Sequence, residues 1–200
     1  AVKLLRAVGD YDIPDLSGQE IIVIGGGNVA MDVARTSVRL GAKKVSIVYR
    51  RRIADMTAQD AEIAGAQAEG CEILELTSPL SIVSDGVGNV SGLLVQPQII
   101  GAPKWGRPAP RASQEETRVV PCNKVFVAIG QDIEYQSFEA IGIPVQKNRI
   151  VTASDGSIEG FPGVFSGGDC KSGPSTVIKA IEAGKVAAAN IDRSLGCDHK

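Results

Sequence analysis

The sequence is poor in histidine, the side chain that most often carries acid–base catalysis. It has one histidine, His199, in 200 residues, and its aromatic content is only 4%. We therefore expect no catalytic imidazole and no Ser-His-Asp triad. The cysteines form no C-x-x-C pair, which argues against a dithiol redox centre and leaves no spacing typical of a metal site. We predict free thiols in a reducing compartment at Cys71, Cys122, Cys170 and Cys197.

The chain also lacks an excess of charge of one sign and any long hydrophobic run. Lys and Arg number 21 and Asp and Glu number 23, for a formal net charge of -2. No broad basic field is available to neutralise nucleic acid or an anionic membrane. No apolar stretch approaches the roughly 18 residues of a membrane helix, and the first residues do not resemble a signal peptide. We therefore expect a cytoplasmic protein that binds neither nucleic acid nor membrane.

An apolar run, Ile21–Ile24, leads into a glycine turn and then into a predicted helix. The turn matches G-x-G-x-x-G/A: Gly25 permits the tight turn, Gly27 lets backbone approach phosphates, and Ala30 keeps helix and strand close. The first helical N–H groups and the positive end of the helix dipole then face a pyrophosphate. The predicted dinucleotide-binding residues here are Gly25, Gly26, Gly27, Asn28, Val29 and Ala30.

Three arginines follow the next predicted strand, Val45–Tyr49. In NAD-binding domains an Asp or Glu usually stands here and accepts hydrogen bonds from the adenosine ribose 2′-OH. A carboxylate would repel a 2′-phosphate, whereas a guanidinium pairs with it in charge-assisted bonds worth about 1.5–3 kcal/mol each. We therefore predict that Arg50, Arg51 and Arg52 select NADP(H) over NAD(H). The alternative is a solvated basic turn.

Strands and helices alternate through this part of the chain. The first helix is predicted over Asn28–Leu40. A second begins after Thr57, which with Asp60 resembles a capping pair, and ends near Gly70; strand Glu72–Leu76 follows. The alternation predicts an α/β fold whose Rossmann-like parallel sheet has right-handed crossovers.

The pattern then changes to short β-like runs. Leu80–Val83 and Val90–Val95 flank Asp85-Gly86, a hairpin signal, and a proline-rich loop is predicted over Gly101–Arg111. We expect an antiparallel β-meander attached to the parallel sheet. The strand predicted over Lys124–Ile129 ends in the small residues of Ala128-Ile129-Gly130, which leave room at the carboxyl edge of the sheet, where open α/β sheets bind ligands.

A second unit is expected from Gln131. It should contain a hairpin around Lys147-Asn148, a buried strand over Gly163–Asp169 and a helix from about Ser175 that Gly196 closes.

The carboxylate at the end of that buried strand suggests a flavin site. Asp169 can accept hydrogen bonds from ribityl hydroxyls, and free N–H groups at Ser175, Thr176 and Val177 can stabilise negative charge on a flavin. The alternative is a surface aspartate before an ordinary amphipathic helix.

Five segments, in order along the chain, resemble the C-terminal half of the NADPH-dependent glutamate synthase small-subunit family of FAD/NAD(P) oxidoreductases, to which the NADPH/FAD half of dihydropyrimidine dehydrogenase is related. They are Val23–Arg35, Val48–Arg51, Val125–Gln131, Val164–Asp169 and Ser175–Ile181. The resemblance implies an NADPH domain inserted into an FAD domain. It also implies that hydride passes from nicotinamide to flavin and onward through iron–sulfur clusters.

By position, the resemblance puts the pyrophosphate at Gly26–Val29, the 2′-phosphate at Arg50 and Arg51, and the nicotinamide side at Ala128, Ile129 and Gly130. It puts Gly168, Asp169 and Thr176 near FAD. The family's N-terminal portion, with a cysteine-rich iron–sulfur module and the first FAD glycine motif, is not in this sequence. We therefore expect a piece of a longer protein with a partial FAD site, and iron–sulfur clusters in the missing portion or in a partner subunit.

The expected organisation is a linker over 1–17, an NADP(H)-binding domain with the meander over 18–130, and the C-terminal segment of a split FAD-binding domain over 131–200. No catalytic side chain is nominated, because hydride transfer to a flavin needs alignment of cofactors above all. The alternative function is a non-enzymatic dinucleotide-sensing domain. A dehydrogenase acting directly on a small substrate is disfavoured, because no Tyr-x-x-x-Lys pair occurs. Apolar surface on 131–200 also predicts a homodimer.

Overall fold

The computed structural model describes residues 1–104 and 107–196. The chain divides into two compact units, the first over Ala1–Gly130 and the second from Gln131 onward. His199 and Cys197, which the sequence analysis singled out, lie outside the described residues.

The first unit alternates helices and strands before it becomes a meander. Its described elements are, in chain order, α1 (Val2–Gly9), β1 (Glu20–Ile24), α2 (Asn28–Arg39), β2 (Lys44–Val48), α3 (Asp60–Ala68), β3 (Glu72–Leu74), β4 (Thr77–Ser84), β5 (Val90–Lys104), β6 (Arg107–Ala112), β7 (Arg118–Pro121) and β8 (Lys124–Val127).

The parallel sheet of this unit has the strand order β3-β2-β1-β8, and each neighbouring pair is parallel. Side chains of β1 alternate between two cores, as a strand covered on both faces requires. Ile21 and Val23 share a core with Met31 of α2, whereas Ile22 packs in a second core with Leu93 and Val95 of the meander. The sheet therefore lies between a helical layer and an antiparallel layer, and the predicted α/β fold class with a meander is confirmed.

The long strand β5 organises the meander, because it pairs antiparallel with β4, β7 and β6. The hairpin predicted at Asp85-Gly86 is confirmed, and Asp85 accepts the amides of Val87 and Asn89 there. The prediction of a loop over Gly101–Arg111 is wrong, since β5 and β6 continue into it. Prolines 108 and 110 alternate along β6, so their missing N–H groups fall on one side of that strand.

The segment 1–17, expected as a linker, is instead partly helical and packs on the first unit. Helix α1 buries Leu4, with Leu5 and Val8 partly buried beside it, and Leu16 is fully buried. The linker interpretation rested on the polar stretch that follows α1 and overlooked this helical spacing of apolar side chains.

Short elements make up the second unit. In chain order they are α4 (Gln136–Ala140), β9 (Val145–Gln146), β10 (Arg149–Ile150), β11 (Ser157–Ile158), β12 (Phe161–Phe165), α5 (Asp169–Ser172) and α6 (Val177–Ser194). A small core joins Ile143, Ile150 and Ile158. The hairpin predicted around Lys147-Asn148 is confirmed, and both residues have positive φ.

Strand β12 differs from the buried strand predicted over Gly163–Asp169. It pairs with the two-residue β11, and Val164 is 38% exposed. None of the residues of α6, all of which the structure describes, is buried, and Val177, Ile178 and Ile181 are exposed. Apolar surface is thus present where it was expected. No helix among the described residues is long and apolar enough to span a membrane.

Candidate functional site

The carboxyl ends of β1, β2 and β8 open into a cavity of about 740 Å³. In an open parallel sheet, this edge is where ligands bind. The predicted site residues that line this cavity, called here the main cavity, are Gly25, Gly26, Gly27, Asn28, Val29, Arg50, Arg51, Ala128, Ile129 and Gly130. The remaining lining residues, which the sequence analysis did not assign, are Ile24, Val48, Tyr49, Thr57, Ser78 and Pro79.

Gly25 lies directly against the end of β8. A Cβ at this position would overlap the carbonyl oxygen of Ala128, and the backbone has a φ of +148°. Gly25 also donates its amide to the carbonyl of Val48, while Ala128 donates to the carbonyl of Ile24. Three strands therefore converge on the first glycine of the motif, and only glycine fits there.

The peptide between Gly26 and Gly27 has a fixed orientation. The Gly26 carbonyl accepts the amides of Thr57 and Ala58 at 2.9 and 3.0 Å, and the Thr57 hydroxyl lies 3.4 Å away. Because the peptide is trans, the Gly27 N–H points away from those donors. The ring of Tyr49 packs directly against Gly26, since a Cβ on Gly26 would lie 2.5 Å from Tyr49 Cε2.

Helix α2 begins at this turn with its N-terminal amides unsatisfied. Gly27 is the N-cap residue and makes no side-chain cap. In the described part of the chain, the amides of Gly26, Gly27, Asn28 and Val29 have no hydrogen-bond partner. Four free donors at a helix N-terminus form an anion site with the helix dipole behind it.

The side chain of Asn28 fixes the loop that carries the arginines. Its Oδ1 accepts the amide of Gln59 at 2.9 Å. Gln59 is also the N-cap residue of α3, so the capping pair predicted for Thr57 and Asp60 is wrong. Thr57 instead turns its hydroxyl toward the glycine turn, because the backbone before α3 is already bonded to Gly26.

The three arginines differ in their surroundings. Arg50 is exposed and has no side-chain partner among the residues that the structure covers. Arg51 is half-buried and, like Arg50, lines the main cavity. Arg52 is absent from the lining and forms a two-point ion pair with Asp55, with distances of 2.8 and 3.0 Å.

Electrostatics in this turn favour the charged forms. The hydrogen bond from Arg52 lowers the pKa of the Asp55 carboxyl, and the nearby charges of Arg52 and Arg51 lower it further. The same hydrogen bond raises the pKa of the Arg52 guanidinium, with a smaller contribution from Glu75. Asp55 therefore stays ionised under ordinary conditions and neutralises part of the basic cluster.

Ala30 and Ile129 differ sharply in burial, although both were predicted to bind the cofactor. Ala30 is fully buried behind the turn, where it packs in the helical core. Ile129 is 75% exposed at the rim of the main cavity, next to Gly130 with a φ of +111°. Ala30 is therefore a packing residue of the motif, whereas Ile129 offers an apolar surface to a ligand.

The predicted flavin residues belong to the second unit, where Gly168 lines a separate cavity of about 320 Å³. Asp169, Ser175, Thr176 and Val177 do not line it. Asp169 begins the short helix α5, and its Oδ1 accepts the amide of Ser175 at 3.2 Å.

Helix α6 starts at Val177 with Thr176 as its N-cap, two residues later than predicted. The Ser175 amide is therefore not free, in contrast to the prediction, since the exposed carboxylate of Asp169 closes the turn locally. Among the described residues, the amides of Thr176 and Val177 have no partner.

The cysteines that the structure describes are free thiols. Burial raises the pKa of the Cys71 thiol to about 11, and burial likewise raises the pKa of Cys122. Such thiols are poor nucleophiles at neutral pH. No group of three or more His, Cys, Asp or Glu side chains in residues 1–104 and 107–196 could hold a metal ion.

Thr57, Ser78 and Pro79 were missed because their positions depend on tertiary contacts. Thr57 reaches the cavity because its loop docks on Gly26. Ser78 and Pro79 belong to β4, the first strand of the meander, which passes the carboxyl edge of the sheet. No local pattern in the sequence signals either approach.

Comparison with known proteins agrees with this architecture. The NADP(+)-dependent formate dehydrogenase subunit beta of Moorella thermoacetica is 37% identical over 196 residues, a match that covers 97% of this chain and 27% of that protein. The glutamate synthase [NADPH] small chain of Escherichia coli is 34% identical over 190 residues, covering 91% of this chain and 40% of that protein. The chain thus spans less than half the length of either relative.

Among solved structures, the thioredoxin reductase of Lactococcus lactis has the same fold, with a TM-score of 0.76 at 22% identity, over 95% of this chain and 56% of that one. FprA from Mycobacterium tuberculosis in complex with NADPH gives a TM-score of 0.70 at 21% identity, over 92% and 54%. The family model described as pyridine nucleotide-disulphide oxidoreductase matches residues 1–184. The protein therefore belongs to the pyridine nucleotide-disulphide oxidoreductase family.

Proposed function

We propose that this chain is the NADPH-binding portion of a flavin-dependent NADPH oxidoreductase, similar to the glutamate synthase small subunit. In this proposal hydride passes from NADPH to FAD and onward to iron–sulfur clusters or a partner subunit. One observation carries the proposal: free amides at the start of α2 and the side chains of Arg50 and Arg51 line the same cavity.

The residues of the main cavity fit a phosphorylated dinucleotide. The amides of Gly27 and Asn28 can donate to pyrophosphate oxygens. The turn that presents them needs its first two glycines, because a Cβ on Gly25 would overlap the Ala128 carbonyl and one on Gly26 would overlap the Tyr49 ring. The guanidinium groups of Arg50 and Arg51 supply the charge that a 2′-phosphate needs, in a position where NAD-specific domains hold a carboxylate. The volume of about 740 Å³ lies in the ordinary range for cofactor sites.

A bound nicotinamide dinucleotide would supply hydride to an acceptor stacked beside it. The protein's own task is then to orient the ring and to exclude water. Ala128, Ile129 and Gly130 line the cavity at the end of β8, and Ile129 offers an exposed apolar face there. In this proposal these residues hold the nicotinamide side, and no side chain of the chain moves a proton.

We further propose that the second unit is the C-terminal segment of a split FAD-binding domain. The free amides of Thr176 and Val177 at the start of α6, together with the carboxylate of Asp169, support this assignment. The names of the relatives support a partner: one is a beta subunit and another a small chain. Transfer of electrons onward to iron–sulfur clusters is a proposal drawn from the same resemblance, and the cytoplasmic location is a proposal drawn from the composition.

A non-enzymatic dinucleotide sensor remains the alternative function. It would need the main cavity but not the flavin-facing residues of the second unit. A longer form of the protein that carries the upstream sequence separates the two functions, since the oxidoreductase should retain a yellow flavin through purification. A colourless longer form that still binds NADPH would support the sensor.

The direct test compares NADPH and NADH by isothermal titration. We expect the wild type to prefer NADPH, and Arg50→Ala and Arg51→Ala each to reduce the preference by about tenfold or more, the equivalent of one lost charge-assisted bond. The matched control is Arg39→Ala, which removes an exposed arginine paired with Glu69 between α2 and α3. A wild type without preference, or arginine variants that retain it, would show that the cofactor assignment is wrong.

A further inference from the structure

The arginine turn, defined here as Arg50–Asp55, carries three adjacent guanidinium groups. They differ in their ion-pair partners and in whether they line the main cavity. Arg52 donates from Nε and Nη2 to the two carboxylate oxygens of Asp55, at 2.8 and 3.0 Å. The Asp55 side chain is only 10% exposed, whereas that of Arg52 is 49% exposed. Arg52 does not line the main cavity, although Arg50 and Arg51 do.

Bonds from several elements fix the backbone of this turn. Its 3₁₀ segment closes through the amide of Asp55 on the carbonyl of Arg52 at 2.9 Å. The amide of Ile53 donates to the Glu75 carboxylate at 2.7 Å. The hydroxyl of Tyr49 donates to the Asp55 carbonyl at 2.9 Å, and the same tyrosine ring lies against Gly26. The turn is therefore linked mechanically to the glycine motif.

Recruiting Arg52 to a phosphate would break this arrangement. Both charge-assisted bonds to Asp55 would be lost, and a carboxylate that is nine-tenths covered would lose its two-point partner. Losing this partner costs more than the bonds themselves contribute, because the covered carboxylate is poorly solvated and the charge of Arg51 nearby acts on it less strongly than the hydrogen bond from Arg52. A third cation at the phosphate would gain no comparable advantage, since Arg50 and Arg51 already line the cavity.

We infer that Arg52 is a positioning residue which, with Asp55, holds the arginine turn so that Arg50 and Arg51 face the adenosine phosphate, and that Arg52 does not contact the cofactor. This inference rests on the proposed function. Selectivity for the phosphorylated cofactor then depends on a pair of residues that lie outside the ligand's reach. A purely structural role would change stability without changing the preference for NADPH over NADH.

The test is a double-mutant cycle on the whole chain with Arg52→Ala, Asp55→Ala and their combination, and with Arg39→Ala as control. The readout is the ratio of NADH to NADPH dissociation constants, and a urea transition verifies folding. Each single variant should lower the ratio by about three- to tenfold, the effect of losing roughly one positioned hydrogen bond. The double variant should have the same ratio as the single variants, because either single change already breaks the ion pair between Arg52 and Asp55. The reversed pair, Arg52→Asp with Asp55→Arg, should recover part of the ratio.

Two outcomes overturn the inference alone, provided the wild type prefers NADPH and Arg50→Ala loses that preference. One is an unchanged ratio in both single variants. The other is tighter NADPH binding in Asp55→Ala together with an abolished preference in Arg52→Ala. That result would mean that Arg52 contacts the 2′-phosphate directly and that Asp55 competes with the phosphate for Arg52. If the wild type has no preference, the proposed function fails together with the inference.

A second measurement needs no variant. The Nε–H signals of arginines can be followed by nitrogen NMR while wild-type protein is titrated with NADP⁺. The signals of Arg50 and Arg51 should shift, and that of Arg52 should keep its position. A shift of the Arg52 signal as large as that of Arg50 would overturn the inference.

Discussion

Gly26 lies on the ring of Tyr49, so closely that a Cβ on Gly26 would be 2.5 Å from Tyr49 Cε2. The ring cannot easily retreat, because Tyr49 is only 9% exposed and its hydroxyl is bonded to the Asp55 carbonyl. This contact joins the glycine motif, which would hold the pyrophosphate, to the arginine turn, which would hold the 2′-phosphate. The two halves of the proposed site are therefore built on each other.

Substitution of Gly26 by alanine should disturb both halves at once. We expect Gly26→Ala to lower the free energy of unfolding by about 1–3 kcal/mol, the usual cost of overpacking. Urea denaturation measures this loss. Gly9→Ala is the matched control, since a Cβ on Gly9 meets nothing within 4 Å. Equal stability of the two variants would contradict the contact with Tyr49.

Thr57 should contribute to dinucleotide binding without distinguishing the two cofactors. Its side-chain oxygen lies 3.4 Å from the point where a Gly27 Cβ would be, and Thr57 lines the main cavity where we propose that the pyrophosphate binds. We expect Thr57→Val to weaken NADPH and NADH equally, by about three- to tenfold, as for one lost hydrogen bond. Thr57→Ser should keep both affinities, and titration calorimetry measures all four values. A loss confined to NADPH would mean that Thr57 faces the 2′-phosphate instead.

The beginning of the dinucleotide motif could be predicted from the sequence because its determinants are local. The apolar run of β1, the glycines and the start of α2 at Asn28 all follow from neighbours in the chain. The pairing of Arg52 with Asp55 could not be predicted in the same way. It depends on a 3₁₀ turn that Glu75, distant in sequence, helps to fix.

The errors elsewhere have a common physical origin in tertiary contacts. The prolines of β6 suggested a loop, yet their even spacing lets them lie on one side of a paired strand. The Ser175 amide was expected to be free for a ligand and instead donates to the Asp169 carboxylate. Local patterns identify a polar group, and the surrounding fold decides which partner it meets.

The Cys71 thiol should make the free energy of unfolding depend on pH in the alkaline range. Its pKa is raised from 9.0 to about 11, chiefly by burial, with Glu69 adding to the effect. Between these values the unfolded thiol loses its proton while the folded thiol keeps it, so the free energy of unfolding should fall as pH rises from 9 to 11. In Cys71→Ala this part of the pH dependence should disappear. An unchanged slope in that variant would show that another group is responsible.

A substitution in the turn between β9 and β10 should increase the stability of the second unit. Lys147 and Asn148 have φ values of 51° and 60°, a left-handed conformation in which lysine is strained. Asparagine tolerates it better, and it is favoured at the first central position of such hairpins. We expect Lys147→Asn to stabilise the second unit by about 0.5–1 kcal/mol in thermal denaturation. A destabilised variant would contradict the described turn.

The exposed apolar side chains of α6 predict self-association of this chain. Val177, Ile178 and Ile181 are all more than half exposed. Patches of this kind drive contacts between molecules when nothing else covers them. Size-exclusion chromatography at increasing concentration should show a dimer that Ile178→Ser weakens. A monomer at all concentrations would contradict this expectation.

The most direct test of the central claim is the ionisation of the 2′-phosphate itself, followed by phosphorus NMR in bound NADP⁺. If the guanidinium groups of Arg50 and Arg51 receive this phosphate, they stabilise its dianion, and its second pKa should fall by about one unit or more from its free value near 6. Arg50→Ala should reverse most of the shift. A bound 2′-phosphate that titrates as it does in free solution would contradict the proposed recognition.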